Sequence, residues 1–280
     1  MTGKVNRILP FSSVDGPGNR TAIFLQGCNF DCKYCHNPET ITVCQNCGVC
    51  VEYCVPKALT FKNGKVEYDH TKCCFCDECF KHCPHGGSAR VRDMSAEDVM
   101  REVRKNMPFI RGITVSGGEC TLQRDFLLEL LTLAKAEGLH TLIDSNGSYD
   151  FSADDELMAV ADGVMLDVKA WSKEDHIRVT GVDNDMVKKN LYWLLENHKL
   201  TEVRTVIVPE LFDVYETVRE VSKATAPHQK GGQPRYKIIR YRPMGVREKY
   251  AGLASPTDEL INELMDLAKA EGIKDVATTL

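Results

Sequence analysis

Apolar and polar positions alternate along most of the chain with two different periods. Short apolar runs, typical of buried strands, are separated by longer segments whose apolar residues recur every three or four positions, as on one face of a helix. The runs that predict strands lie at 20–26, 112–116, 140–144, 162–169, 202–208 and 236–241. Helices are predicted at 126–138, 186–198 and 214–224. Alternating strands and helices indicate a parallel sheet, so the predicted fold class is α/β.

Local signals mark the ends of several predicted helices. Ser95 and Asp98 resemble a capping box in front of the next apolar stripe. The sequence Leu-Ala-Lys-Ala-Glu-Gly occurs at 133–138 and again at 267–272, and we expect the final glycine of each copy to cap a helix. The number of strands favours an open, incomplete barrel of about six βα units, with its active site at the carboxyl ends of the strands.

Length and charge limit the possible functions. The 280 residues suffice for one α/β core and a small appendage. A formal net charge of −5 without a basic run argues against a nucleic-acid partner. Residues 1–7 lack the apolar core of a signal peptide, and no window approaches the roughly 18 apolar residues of a membrane span. We therefore expect a cytoplasmic monomer with no membrane partner.

Thirteen cysteines in a reducing compartment indicate metal ligation rather than disulfides. Three of them, Cys28, Cys32 and Cys35, form a C-x3-C-x2-C pattern directly after the first predicted strand. Three thiolates can hold three corners of a 4Fe-4S cluster, and the missing fourth ligand leaves one iron open for chemistry. Taken alone, such a pattern also fits a zinc site or a few buried cysteines.

Residues 38–90 differ in character, because they contain two further cysteine runs of the form C-x2-C-x2-C-x3-C. In the bacterial ferredoxin pattern the fourth cysteine of each run ligates the other run's cluster. This pattern predicts one 4Fe-4S cluster on Cys44, Cys47, Cys50 and Cys83 and another on Cys73, Cys76, Cys79 and Cys54. A zinc ribbon is the alternative. Cys74 does not fit the run, and a hairpin is predicted around Lys62–Lys65.

Tyr34, just before the last cysteine of the first pattern, and Gly117-Gly118-Glu119, after the second strand, resemble motifs of the radical S-adenosylmethionine enzymes. Val14-Asp15-Gly16-Pro17-Gly18 and Tyr34-Cys35-His36-Asn37 are similar to motifs of the activating enzymes of glycyl radical enzymes. The ferredoxin-like insert resembles that of the YjjW-type activases. The resemblance spans nearly the whole chain.

This resemblance implies an incomplete (β/α)6 barrel of the radical S-adenosylmethionine type, formed by 1–37 and 91–280, with a two-cluster ferredoxin-like domain inserted at 38–90. It implies that the chain reductively cleaves S-adenosylmethionine to methionine and a 5′-deoxyadenosyl radical. The radical abstracts hydrogen from a backbone glycine of a partner enzyme. The catalytic residues implied are Cys28, Cys32, Cys35 and Lys169.

The resemblance also implies a set of cosubstrate contacts. The methionine amino group is expected at Gly117, Gly118 and Glu119, and its carboxylate at Lys169 and Arg204. Asp167, which shares a strand face with Lys169, and Arg247, which stands where the family has a histidine, are the candidates for the ribose. Tyr34 and His36 are expected to border the adenine. A sodium or potassium ion is expected on Asp144, Ser145, the Met165 carbonyl and Asp167, although Asp144–Gly147 also fits an Asx turn.

Asp15 is a candidate contact for the partner's glycine loop, although its Gly-Pro-Gly setting also fits an ordinary tight turn. The insert clusters could relay electrons from a ferredoxin or flavodoxin, or could serve only to dock the partner. Two rival functions remain: a radical S-adenosylmethionine enzyme acting on a small molecule, and a plain electron carrier. Cys120 is expected to be a small buried thiol.

Overall fold

The computed structural model of the chain describes residues 1–231 and 233–279. The strands in this part of the chain are β1 (Thr2–Ser12), β2 (Arg20–Leu25), β3 (Thr42–Val43), β4 (Leu59–Lys62), β5 (Lys65–Tyr68), β6 (Gly87–Ser88), β7 (Arg92–Ser95), β8 (Gly112–Gly117), β9 (His140–Ser145), β10 (Gly163–Asp167), β11 (Leu200–Ile207), β12 (Arg235–Arg240) and β13 (Val276–Thr278). The helices are α1 (Glu78–Lys81), α2 (Ala96–Arg104), α3 (Arg124–Ala136), α4 (Asp155–Val160), α5 (Lys173–Thr180), α6 (Asp185–Glu196), α7 (Val214–Thr225) and α8 (Asp258–Ala270).

Nine of the strands described form one sheet, in the order β13-β12-β11-β10-β9-β8-β2-β1-β7. Strand β2 and strands β8 to β13 run parallel, whereas β1 pairs antiparallel with both β2 and β7. The six predicted parallel strands are confirmed, and the short β13 adds a seventh. The sheet is mixed because the segment expected only as an entry to the first strand forms β1, whose pairing with β7 joins distant parts of the chain.

The sheet curves around the loop between β1 and β2, residues 13–19. The Val14 carbonyl accepts hydrogen bonds from Arg204 on β11 and Lys237 on β12, both at 3.3 Å. The next carbonyl, of Asp15, accepts one from Thr114 on β8 at 2.6 Å. A flat sheet would separate β8 from β12 by about 19 Å, so two adjacent carbonyls reach both strands only because the sheet is bent. The strands at the two ends of the sheet, β13 and β7, do not pair with each other in the described residues. The barrel is therefore open, as predicted.

The helix-end signals are confirmed. Ser95 and Asp98 form a reciprocal capping box at the start of α2, with the Ser95 Oγ accepting from the Asp98 amide at 3.1 Å. Gly138 and Gly272 follow α3 and α8 with left-handed backbones, and the next amide donates in each case to a carbonyl five residues earlier, at 3.0 Å. No helix in the described ranges is both long and apolar enough to cross a bilayer.

The helices bury their apolar faces against the sheet. Leu127, Leu130, Leu131 and Ala134 of α3 are fully buried at spacings of three and four residues, and each fully buried leucine contributes about 2 kcal/mol of hydrophobic stabilisation. The strands are buried on both faces, as the continuous burial of Gly112–Ser116 illustrates. This rigid core fixes where each strand ends, and those ends carry the site.

Residues 38–90, called here the 38–90 unit, contribute no strand to the main sheet. The pairs β3–β6 and β4–β5 lie outside the main sheet, and the unit has its own apolar cluster around Leu59 and Ala58. The predicted hairpin is confirmed, with Lys62 opposite Lys65 across a turn whose residues Asn63 and Gly64 have positive φ. The unit follows Cys35 within a few residues, so it adjoins the loop that carries the first cysteine pattern.

Candidate active site

The cysteine loop, residues 27–36, leaves the carboxyl end of β2 and is fastened on three sides. Its first two amides donate to the backbone carbonyls of residues 40–41 at 2.7 and 3.0 Å. Two amides in its middle donate to the last carbonyls of α5, in residues 179–180, at 2.9 and 3.0 Å. From the third side, Arg247 Nη2 donates to the Cys32 carbonyl at 2.8 Å. The loop's backbone path is therefore held by protein contacts alone.

Cys28, Cys32 and Cys35 line one cavity, called here the thiol cavity, at the carboxyl ends of the strands. It is also lined by Phe30, Tyr34, His36, Asn37, Thr40, Ile41, Ser116, Gly117, Gly118, Asp144, Ser145, Asn146, Asp167, Lys169 and Val206. The structure thus brings the three predicted thiols together with eight of the other predicted residues. Glu119, Met165, Arg204, Arg247 and Asp15 do not belong to this lining.

The three thiols do not ionise readily in the absence of a metal. Burial raises the pKa of Cys28, raises that of Cys32 to about 12 and raises that of Cys35 to about 11. Bound iron would reverse this preference, because a coordinated thiol is deprotonated. Hydrogen bonds to sulfur are present as well: the Phe30 amide lies 3.4 Å from the Cys28 Sγ, and Asn146 Nδ2 lies 3.8 Å from it. The donor set therefore fits an iron–sulfur cluster.

No group of three or more His, Cys, Asp or Glu side chains within residues 1–231 and 233–279 is arranged to hold a single metal ion. A cluster places each thiolate on a different iron, so its ligands need not converge on one point.

Gly117 and Gly118 allow the cysteine loop to lie directly against the end of β8. The Gly118 amide donates to the Leu25 carbonyl at 3.0 Å, and the Glu119 amide donates to the Gly27 carbonyl at 2.8 Å. A Cβ on Gly118 would overlap the Gly27 carbonyl oxygen and come within 2.9 Å of the Thr40 carbonyl oxygen. The second glycine is thus required by close backbone approach at the rim of the cavity.

The Glu119 side chain turns away from the cavity. Its fully buried carboxylate accepts hydrogen bonds from Thr121 N and Oγ1 at 3.1 and 2.6 Å, from Ser145 Oγ at 3.1 Å and from Asn146 N at 2.7 Å. Burial raises its pKa, and these hydrogen bonds oppose the rise. Glu119 therefore joins the loop after β8 to the loop after β9, and only its neighbouring backbone can face a ligand.

Asp144 lies at the end of β9, in the cavity floor. Its Oδ2 accepts from Ser116 Oγ at 2.8 Å, and its Oδ1 lies 3.2 Å from Arg204 Nη1. The pKa of Asp144 is raised to about 6: burial is the main cause, the charge of Arg204 opposes it, and the charges of Asp167 and Asp15 add to it. Asp144 is also opposite Met165 in the parallel register of β9 and β10, so the four oxygens proposed for a cation come from adjacent strands.

Lys169 and Asp167 face the cavity as a pair, with Lys169 Nζ 2.8 Å from Asp167 Oδ2. Burial alone would lower the pKa of Lys169, but the charges of Asp167 and Cys32 raise it well above its usual value. Lys169 is therefore a buried ammonium beside the thiols. Arg204 differs, because it is paired with Glu202 at 2.5 Å and with Asp144, and so it supports the cavity floor from behind.

The two predicted aromatic neighbours are held by the chain around the cavity. Tyr34 is buried, and its hydroxyl lies 3.5 Å from the Lys169 carbonyl. His36 stacks on Tyr241 with ring centroids 5.9 Å apart, and its Nε2 lies 2.8 Å from the Arg242 carbonyl oxygen. Both rings border the cavity, where adenine was expected.

Arg247 lies against the cysteine loop. It is ion-paired with Asp31, and its Nη2 contacts the Asp31 carbonyl at 3.2 Å in addition to that of Cys32. Its guanidinium also lies over the Tyr250 ring, 5.2 Å from the centroid. These contacts of Arg247 stabilise the cysteine loop. From the sequence, Arg247 was expected to contact the ribose.

Asp15 lies in the 13–19 loop inside the curved sheet. Its Oδ2 accepts from Ser12 Oγ at 2.5 Å, and the side chain remains partly exposed. Its contact with a partner stays a prediction. Of the two leftover cysteines, Cys120 is fully buried with its Sγ 3.6 Å from the Asp144 carbonyl oxygen, and Cys74 is exposed.

Seven residues of the lining were not predicted as site residues, and two of them, Asn146 and Ser116, make polar contacts within the site. Asn146 bonds to Asn29 Oδ1 at 3.0 Å and reaches the Cys28 sulfur, and Ser116 holds Asp144. Each directly adjoins a predicted motif, so a wider reading of both motifs could have included them. Phe30, which lies inside the C-x3-C pattern, packs edge-on against the buried His176 at 5.5 Å.

Comparisons with known proteins agree with this geometry. The family model described as the radical SAM superfamily matches residues 22–221. The chain therefore belongs to the radical SAM superfamily, whose name abbreviates S-adenosylmethionine. The solved structure of QueE from Escherichia coli resembles it with a TM-score of 0.56 at 13% identity, covering 100% of this chain and 94% of that one. That likeness supports the fold.

Two relatives of known class indicate where the chain belongs within the radical SAM superfamily. The pyruvate formate-lyase-activating enzyme of Streptococcus mutans is 30% identical, with 97% of this chain and 92% of that protein covered. A putative glycyl-radical enzyme activating enzyme of Haemophilus influenzae is also 30% identical, with 99% and 96% covered. Within the superfamily, the chain belongs with the glycyl radical enzyme activating enzymes. The predicted resemblance is confirmed.

Gly118→Ala tests the backbone contact at the rim of the cavity. The added Cβ must displace the cysteine loop, so we expect the affinity of the reconstituted protein for S-adenosylmethionine to fall by about tenfold, the equivalent of a steric cost of roughly 1–3 kcal/mol. Equilibrium binding, with iron and sulfide content measured in parallel, checks this. Gly252→Ala is the control, because nothing lies within 4 Å of its added Cβ and it should bind as the wild type does. Wild-type affinity in Gly118→Ala would contradict the assigned contact.

Proposed function

We propose that this chain activates a glycyl radical enzyme. It cleaves S-adenosylmethionine reductively to methionine and a 5′-deoxyadenosyl radical, and that radical takes a hydrogen atom from a backbone glycine of the partner. One observation carries the proposal: three thiols share a cavity with a buried ammonium and two carboxylates at the carboxyl ends of parallel strands. His36, the single imidazole in the described lining, has its Nε2 directed at the Arg242 carbonyl. With its Nε2 at 2.8 Å from that carbonyl oxygen, His36 is not proposed as a fourth cluster ligand.

Cys28, Cys32 and Cys35 would hold a 4Fe-4S cluster. When bound and reduced, this group supplies one electron to the sulfonium and an open iron for the amino and carboxylate groups of the methionine moiety. The chain's own residues orient the cosubstrate. The backbone at Gly117–Gly118 would accept the amino group, and the Lys169 ammonium would pair with the carboxylate.

The rest of the lining would select the nucleoside. Asp167, 2.8 Å from Lys169, would accept ribose hydroxyls, and Tyr34 and His36 would flank the adenine. The carboxylates of Asp144 and Asp167, with Ser145 Oγ and the Met165 carbonyl, form a set of hard oxygen donors suited to a sodium or potassium ion. A cation there would favour the ionised form of Asp144, which burial disfavours. Arg204 and Arg247 would act on the cosubstrate only through Asp144 and the cysteine loop.

Two further 4Fe-4S clusters are proposed in the 38–90 unit, one on Cys44, Cys47, Cys50 and Cys83 and one on Cys73, Cys76, Cys79 and Cys54. The charges around Cys50 support a ligand set whose fourth cysteine comes from the other run. Burial is the main cause that raises the pKa of Cys50 to about 11, and the charges of Cys44, Cys83 and Cys47 raise it as well. These are the other three members of its predicted set, and Cys83 comes from the second run.

A repeat in the backbone also supports a two-cluster unit. The second run follows the first by 29 residues, and matching amides approach matching sulfurs. The amides of Asn46 and Phe75 lie 3.4 Å from Cys44 Sγ and Cys73 Sγ, respectively. Likewise, the amides of residues 58 and 87 lie 3.2 and 3.3 Å from the fourth sulfur of each run. Both half-sites thus direct N–H groups at sulfur in the same way, and hydrogen bonds of this kind tune the potential of iron–sulfur clusters.

The activation itself is tested by electron paramagnetic resonance. The anaerobically reconstituted chain, reduced by dithionite, is mixed with S-adenosylmethionine and the glycyl radical enzyme encoded nearest its gene. We expect a glycine-centred doublet, with methionine and 5′-deoxyadenosine released in equal amounts. Cys32→Ala should abolish both. Cosubstrate cleavage stimulated by a small molecule, with no doublet on any candidate enzyme, would instead favour a small-molecule radical enzyme.

The role of the insert is tested by changing the electron source. Cys47 and Cys76 are exposed, one in each proposed ligand set. We propose that the two clusters relay electrons, so Cys47→Ala and Cys76→Ala should keep most activity with dithionite but lose it with reduced ferredoxin or flavodoxin. Cys74→Ala is the matched control, since Cys74 is exposed but belongs to neither set, and it should retain both activities. Equal activity from both donors in all variants, or equal loss, would refute the relay.

A further inference from the structure

A second cavity, called here the basic cavity, lies at the end of the sheet opposite the thiol cavity. It is lined by Pro17, Arg20, Arg111, Lys135, His140 and Asp162, together with residues 138–139 and 233, and encloses about 590 Å³. Arg20 and His140 begin β2 and β9, whereas Cys28 and Asp144 lie near the ends of those strands. The basic cavity is therefore separate from the proposed chemistry.

Arg20 is a buried cation without a carboxylate partner. It is 1% exposed, and no carboxylate in the described ranges lies within 4 Å of it. Its Nε donates to Thr114 Oγ1 at 2.8 Å, and its Nη2 donates to the carbonyls of Ile113 and His140 at 2.5 and 2.8 Å. Burial lowers its pKa to about 10, with Asp162 opposing and Arg111 adding to the effect. Its Nη1 has only a long contact, 3.4 Å, to the Pro17 carbonyl.

The remaining charges leave the cavity positive. Arg111 has neither an ion pair nor a side-chain hydrogen bond among the described residues. Asp162 is the one carboxylate in the lining, but Lys135 occupies its Oδ1 at 2.6 Å and Thr141 occupies its Oδ2 at 2.9 Å. Burial lowers the pKa of His140, as do the charges of Arg20 and Arg111, so the imidazole is neutral near pH 7. Three cations and one carboxylate give a net charge of +2.

We propose that the basic cavity binds a small oxyanion, phosphate or the phosphate group of a metabolite, between Arg20 and Arg111. Guanidinium groups present pairs of N–H donors that match the oxygens of such anions, and hydrogen bonds of this kind are among the strongest in proteins. Bound phosphate would supply the counter-charge that Arg20 lacks. Lys135 stands beside the two arginines with one contact to Asp162, so its ammonium adds to the positive field.

The site is linked to the 13–19 loop. The Thr114 hydroxyl accepts from Arg20 Nε and donates to the Asp15 carbonyl at 2.6 Å, and Pro17 belongs to the cavity lining. An anion held by Arg20 therefore contacts the same short network that holds this loop inside the sheet. The binding proposal itself does not depend on the activase assignment.

Isothermal titration of the anaerobic holoprotein with inorganic phosphate tests the proposal, in Tris buffer with ionic strength held constant by sodium chloride. We expect saturable binding at one site per chain. Arg111→Gln should weaken it by about tenfold or more, since it removes the charge-assisted hydrogen bonds of an exposed side chain that makes no contact needed for folding. Arg219→Gln on α7, outside the cavity, is the matched control and should bind as the wild type does.

A parallel titration with glycerol 3-phosphate distinguishes the source of the anion. Tighter binding of the ester than of free phosphate would identify a phosphorylated metabolite, and the reverse would identify phosphate itself; both support the site. The absence of saturable binding by either probe, or equal affinities in wild type and Arg111→Gln, would overturn it. Cosubstrate cleavage should be unchanged in Arg111→Gln, so a negative titration would not bear on the activase function.

Discussion

Three thiols that must be buried together around one cavity, close enough to share an iron–sulfur cluster, are the constraint on which the rest of the structure depends. Burial opposes their ionisation. Without metal the thiols are therefore neutral, and the loop that carries them cannot be fixed by ion pairs to thiolates. The chain instead fixes this loop by backbone hydrogen bonds to residues 40–41 and 179–180 and by Arg247. The paired glycines after β8 let two strand ends meet at the same point.

The electrostatics of the cavity follow from the same constraint. The thiolates of a cluster and the charged groups of S-adenosylmethionine both require compensating charge, and the lining provides a buried ammonium with carboxylates on adjacent strands. Lys169 keeps its proton because Asp167 and Cys32 outweigh burial. Arg204 keeps Asp144 in place from behind, and Glu119 joins the next two loops without entering the cavity. The cavity is thus supported by a second set of charged side chains that lie outside its lining.

How much the sequence could predict depends on the range of the interaction. The parallel strands, the 62–65 hairpin, the Ser95 capping box and the helix-ending glycines rest on neighbouring residues, and their positions followed from local patterns. The lining at Cys28–Cys35 and Asp144–Lys169 followed because motifs at strand ends meet in a parallel sheet. Arg247 could not be placed, because its partner Asp31 is 216 residues away. The pairing of β1 with β7 also depends on the assembled fold. So does the orientation of the Glu119 carboxylate, which points away from the thiol cavity towards Ser145 and Asn146.

The most direct measurement of the central claim is Mössbauer spectroscopy of the chain reconstituted with isotopically enriched iron, recorded before and after addition of S-adenosylmethionine. A site cluster held by only three thiolates predicts that a single iron changes its spectrum when the cosubstrate binds, while the remaining iron is unaffected. A spectrum that the cosubstrate leaves unchanged, or zinc in place of iron at Cys28, Cys32 and Cys35, would contradict the account.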